Sequence, residues 1–164
     1  MERTEMWILE KGARLATLLL VLSGLAFAPA AMADDMDDIM SLISRYGDTE
    51  GDLDAQSRLI RDDRVMITNI RQTDNAKNMM IQKETRAAME AVNGGKTRWI
   101  TTIESPHVAI YGNTAVASFV RTFTVLPHNQ PPAGGNPNWV TLVLVKEGGR
   151  WGIAHTHMSP AGGN

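Results

Sequence analysis

The chain has no cysteine among its 164 residues. That excludes disulfide bonds and any metal centre built on thiolates. Aromatic residues are scarce, at 5% of the chain. Trp99, Tyr111, Trp139 and Trp151 are a large share of them, and they have three uses open: core, subunit contact or cavity lining. Neither sign of charge is in excess, with 16 basic and 18 acidic residues and a net charge of −2. Such a balance carries no electrostatic footprint for nucleic acid or an anionic membrane surface. Internal repeats are absent. Histidine is limited to His107, His128, His155 and His157, all in the second half.

Long apolar runs are also missing. The longest, Leu15 to Phe27, is shorter than the roughly 20 residues a membrane helix needs. Basic residues Arg3, Lys11 and Arg14 precede or open it, although Glu2, Glu5 and Glu10 offset them. Ala31-Met32-Ala33 follows as an A-x-A cleavage site, and Asp34-Asp35 comes directly after it. Residues 1–33 therefore read as a secretory signal peptide, with a retained anchor as the alternative. Cleavage would leave one domain, 34–160, with a flexible tail at 161–164, in a periplasmic or secreted location and with no membrane contact.

Hydrophobic periodicity divides this domain in two. Apolar residues at Met36, Ile39, Met40, Leu42 and Ile43 predict a helix over 35–45, whose N-terminal dipole suits Asp34 and Asp35. The Asp34-Asp35 and Asp37-Asp38 pairs lack the Gly turn and distal Glu of a calcium loop. A second short helix is expected over 52–61, with Leu53, Leu59 and Ile60 inward and Asp62-Asp63 breaking it. Residues 65–68 read as a short strand. Asp74-Asn75 can cap a third helix over 76–92, with Met80, Ile81, Ala88 and Val92 as its inner stripe and Gly94-Gly95 as its stop.

The period then changes from 3.6 to 2. Residues 97–104 and 107–111 form one long strand bent at Ser105-Pro106, because Pro cannot donate to a sheet ladder. Gly112-Asn113 is a hairpin turn, and 114–126 is the next strand. A loop rich in Pro, Gly and Asn covers 127–138. Strands over 139–146 and 150–158 follow, joined by a turn at Glu147-Gly148-Gly149. Helices first and an antiparallel meander after them make an α+β plan. In strict alternation, Trp151, Ile153, His155 and His157 share one face of the last strand, though the pattern leaves open whether that face looks inward.

Certain segments resemble the nuclear transport factor 2-like superfamily, in particular its SnoaL-like and kinase association-domain branches. They are Gly51-Asp52-Leu53, Asp62-Asp63, the run Ser105 to Val116 and the run Lys146 to Ser159. The resemblance implies a cone-shaped, curved antiparallel sheet with three N-terminal helices over its concave face, a cystatin-like roll. It also implies a small-molecule site inside the cone and a homodimer formed through the sheet. The superfamily's functions run from isomerases to pure association modules, so fold alone assigns no activity. Ketosteroid isomerases of this superfamily use Tyr and two Asp residues, and the matching positions here are Ser44, Thr68 and Thr141. Where related dehydratases carry a His, this chain has Trp99.

The expected ligand is a small apolar or carboxylate-bearing molecule, lined by Trp99, His107, Tyr111, Arg121 and Thr141. His155 and His157 are the candidate acid–base pair for lyase or isomerase chemistry, since imidazole titrates near neutral pH. Metal binding by that pair would need His107 as third ligand; structural packing is the plainer use. Arg121 shares a strand face with Phe119 and Phe123; inside the sheet it must pair with an anion, a ligand carboxylate or a salt-bridge partner, and the alternative is an exposed convex face. No cofactor and no metal are expected. The alternative function is a non-catalytic homo-oligomerisation module.

Overall fold

A computed structural model describes residues 28–162, with side chains from Met32 onward. The proposed signal peptide lies almost wholly outside the described residues. Helix α1 spans Ala28–Asp48, starting ahead of Ala31-Met32-Ala33. The chain divides into two compact units, Met1–Asp37 and Asp38–Asn164. The described part of the first is helical, and everything below concerns the second. No helix among the described residues is long and apolar enough to cross a membrane.

After α1 comes a 3-10 turn, Thr49–Gly51, and a short helix α2, Leu53–Ser57. Asp52 caps α2, its Oδ1 accepting from the Asp54 and Ala55 amides at 3.1 and 3.0 Å. Strand β1 (Ile60–Ile67) and the two-residue β2 (Arg71–Gln72) precede helix α3 (Asn75–Asn93). Strands β3 (Arg98–Tyr111), β4 (Thr114–Leu126), β5 (Ala133–Glu147) and β6 (Arg150–Pro160) complete the chain. The sheet order is β2-β1-β6-β5-β4-β3. β1 runs parallel to β6, and the other pairs are antiparallel.

Asp62-Asp63 does not break a helix. Both are exposed residues within β1, and the register shift between Ile60 and Val65 takes up the irregularity. The expected bend at Ser105-Pro106 is a bulge between Glu104 and His107, with Ser105 at φ 51°. β5 starts earlier than the Pro- and Gly-rich composition predicts. Gly134 and Gly135 adopt φ of 85° and 86°, which lets the strand turn in beside Thr124 and Val125. Four bulges across the sheet give it curvature and leave it open rather than closed into a barrel.

The core lies on the inward side of this curve. Ile39, Leu42, Ile43 and Tyr46 of α1 cluster with Ala115, Ala117 and Phe119 of β4, Val140, Leu142 and Leu144 of β5, and Trp151 and Ile153 of β6. Register explains the set: Ala117 pairs with Leu142 and Phe119 with Val140, so each inward row is continuous between strands. Helix α3 presents a different face from the one expected. Met80, Ile81 and Val92 are exposed, Val92 by 86%, while Asn75, Asn78 and Met79 are buried. The physical reason is the polar interior that α3 faces: its Arg86 side chain completes an ion cluster there.

Candidate functional site

The inward face carries a buried charge cluster centred on Glu50. This residue sits in the 3-10 turn and is 5% exposed. Its Oε1 accepts from the Arg86 guanidinium of α3 at 2.6 Å, and its Oε2 from the Arg121 guanidinium of β4 at 2.7 Å. Gln56 Nε2 donates to the same Oε2 at 3.1 Å and to the Tyr46 carbonyl at 3.2 Å. Arg86 also donates to the Glu50 carbonyl oxygen. The two guanidiniums lie over aromatic rings, Arg86 at 4.2 Å from the Trp99 centroid and Arg121 at 5.0 Å from that of Phe123. Trp99 and Phe123 themselves stack at 5.9 Å, at an interplanar angle of 16°.

A third guanidinium is buried nearby. Arg64 of β1 is 4% exposed, and its one hydrogen bond goes to Asn75 Oδ1 at 2.9 Å. No carboxylate pairs with it among the described residues. Burial lowers its pKa, with the Tyr46 phenol acting in opposition. Burial in turn pushes the Tyr46 phenol above its ordinary range, so it stays protonated at neutral pH. Arg121 pulls that phenol back down, Glu50 raises it further, and Arg64 lowers it, so Tyr46 lies in the field of all three charges. The interior thus holds three guanidiniums and one carboxylate.

A cleft of about 630 Å³ opens beside α2, β1 and α3. Ser57, Asp62, Thr73, Asn75, Met79 and Lys83 are among its walls. Asn75 is shared: it lines the cleft and holds Arg64.

Two of the seven residues singled out from the sequence belong to this interior. Arg121 is bound to Glu50, and Trp99 lies beneath Arg86. The other five lie on the outward face of the sheet. His107 pairs with Ser118, Ser118 with Thr141 and Thr141 with His157, which forms one outward row; Val143 and His155 belong to the next. Tyr111, opposite Thr114, is 68% exposed. The expected single face for Trp151, Ile153, His155 and His157 is corrected by a bulge. Val143 pairs with His155 and Leu144 with Ile153, so Ala154 is an extra residue and the alternation reverses there. Trp151 and Ile153 point inward, then Thr156, which is fully buried, while His155 and His157 point outward.

His128 is exposed in the β4–β5 loop, its ring against Gly95, so no histidine occupies the interior. Among the described residues no group of three His, Asp or Glu side chains could hold a metal ion. Sequence reading missed Glu50, Arg64 and Tyr46. Arg64 had a signal: it alternates with buried Met66 on β1. Glu50 had none, because its partners stand 36 and 71 positions away.

An α+β domain with a curved, open sheet, helices on its inner side and a polar interior belongs with the nuclear transport factor 2-like, cystatin-like folds. One solved structure of that fold, from Novosphingobium aromaticivorans, matches with a TM-score of 0.67 at 16% identity, covering 84% of this chain and 88% of that one. ActVI-ORFA from Streptomyces coelicolor matches with a TM-score of 0.64 at 12% identity, over 78% and 96% of the two chains. A Shewanella frigidimarina protein provisionally named a ketosteroid isomerase matches with a TM-score of 0.54 at 15% identity, over 73% and 92%. At these identities the likeness is one of fold. In sequence, residues 48–162 match the SnoaL-like domain profile, and the chain belongs to that family. Among curated proteins, none matches the chain.

Proposed function

We propose that this SnoaL-like domain binds a small carboxylate-bearing molecule between its helices and the concave face of its sheet. One observation carries the reading: among the described residues the interior holds three largely buried guanidiniums, of Arg64, Arg86 and Arg121, and one buried carboxylate, which pairs with the last two. Buried cations are tolerated when paired, and an acceptor-rich ligand supplies the missing negative charge. Lyase or isomerase chemistry next to a bound carbonyl would draw on Tyr46 and Glu50, the non-arginine titratable groups of the interior. Tyr46 is suited to donate a hydrogen bond to a developing oxyanion, since its phenol is held protonated. The A-x-A site after the apolar run supports export to the periplasm or beyond. The test is a thermal-shift and calorimetric comparison of aryl and alkyl carboxylates with their neutral amides. Selective binding of the carboxylates supports the reading, and equal or absent binding of both sets refutes it.

A second reading rests on a separate observation. The outward face is uncovered among the described residues and carries Tyr111, Val116 and Trp139, the last 52% exposed. A second copy of the chain packing there would bury them, as a homodimer or association module does. Sedimentation of wild type and Trp139→Glu tests it: a dimer that the substitution splits supports association through the sheet, and a monomeric wild type removes it.

A further inference from the structure

Arg121 is the obvious guanidinium to hold a ligand carboxylate, yet its charge is already answered by Glu50 at 2.7 Å. Arg64 is the unanswered one. Its side chain is buried, one hydrogen bond is made, to a neutral amide, and Nε is buried without a partner. Two more unpartnered groups lie close in the fold. Asn78 stands one turn after Asn75 on the buried face of α3, and its Nδ2 has no acceptor. Thr156 is fully buried opposite Met66, one pleat from Arg64 on the same inward face, and its Oγ1 is also unsatisfied. A seat with spare donors at Arg64 and Asn78 and a hydroxyl at Thr156 calls for an acceptor.

We infer that Arg64, with Asn75, Asn78 and Thr156, is the seat of the ligand's carboxylate, reached from the cleft between α2, β1 and α3. The inference rests on the reading of the domain as a carboxylate binder and names the residues that do the binding. The cleft walls narrow the class. Asp62 and Asp74 line the same cleft, and Lys83 there is already bound to Asp54. A dianionic phosphate would meet those carboxylates, whereas a single carboxylate with an apolar body would lie along Met79 in the cleft wall and reach Arg64 past Asn75, which lines the cleft and holds that guanidinium. The seat therefore selects monocarboxylates over phosphate esters.

The experiment titrates the purified chain with benzoate, benzamide and phenyl phosphate, read by calorimetry and by the arginine Nε–H resonances in NMR. Benzoate is expected to bind, to move the Arg64 Nε–H signal, and to bind about tenfold or more tightly than benzamide, as loss of a charged hydrogen-bond partner dictates. Phenyl phosphate is expected to bind more weakly than benzoate. Arg64→Met should abolish benzoate binding without lowering the melting temperature, because the residue has no counter-ion to lose. Asn75→Asp should raise the melting temperature and also abolish binding, since it supplies from within the protein the negative charge that the ligand would bring to Arg64. If benzoate still binds Arg64→Met but not Arg121→Met, the assignment to Arg64 is overturned and the carboxylate-binding reading stands. Should Arg64→Met and Asn75→Asp both destabilise the protein, Arg64 is a structural cation and the assignment falls. Failure of benzoate to bind the wild type overturns both, whether or not benzamide binds.

Discussion

Replacing Glu50 by Gln keeps the shape of the side chain and removes its charge. In the wild type the carboxylate receives two guanidiniums, at 2.6 and 2.7 Å, whose side chains are 14% and 12% exposed. An amide can still accept from one of them through its oxygen, but its NH2 group then meets donors from Arg121 or Gln56. Breaking a buried pair by removing one partner costs about 3–5 kcal/mol, mostly for leaving the opposite charge unpaired. In a domain of this size that corresponds to a melting temperature lower by roughly 10–20 °C. Reversible urea unfolding followed by circular dichroism gives the free energy, and a thermal scan gives the shift. A companion variant sharpens the test: Glu50→Gln with Arg121→Met removes one of the stranded charges and should be more stable than Glu50→Gln alone. A loss below about 1 kcal/mol, the range of exposed pairs, would refute the premise that this cluster is buried. The count of uncompensated cations would fall with it.

Further outcomes are expected. The Tyr46 phenol has its pKa raised in the folded protein, so the unfolded chain ionises first as pH rises; stability from this group is full below about pH 10 and is lost above it. Absorbance at 295 nm should show a tyrosinate component delayed beyond the ordinary phenol range, and Tyr46→Phe should remove that component and the alkaline loss of stability it causes. Gly134→Ala should destabilise by about 2 kcal/mol or more in urea unfolding, because φ is 85° and a Cβ would stand 2.5 Å from the Phe123 carbonyl oxygen. Phe119→Ala should cost about 3–5 kcal/mol by the same assay, since Phe119 is fully buried where β4 meets β5.

Much of the chain's architecture was legible locally. Gly112 and the Gly148-Gly149 pair adopt the positive φ their turns require, Asp74 caps α3 through the Lys77 amide at 2.9 Å, and Gly94 ends it at φ 72°. Such signals are read from neighbours in sequence because the forces that fix them act between neighbours. The inward stripe of α1 was legible in part for the same reason: Ile39, Leu42 and Ile43 recur at helical spacing and are buried, whereas Met40, expected in the same stripe, is exposed.

Tertiary structure decided which way the chemistry faces. One extra residue, Ala154, turns His155 and His157 from the interior to the outward face, and nothing in the alternation of the strand itself marks a bulge, which exists only relative to the partner strand β5. On α3 the apolar residues Met80, Ile81 and Val92 would have been assigned inward by hydrophobicity. The helix instead turns Asn75, Asn78 and Arg86 toward the sheet, because Arg86 finds Glu50 and Trp99 there. The Glu50 cluster joins four elements distant in sequence. Its stability depends on exclusion of water from their junction, a property of the folded chain that no window of sequence contains. Local sequence determined where the helices, turns and strands lie; packing alone decided that three arginines would share an interior with one glutamate.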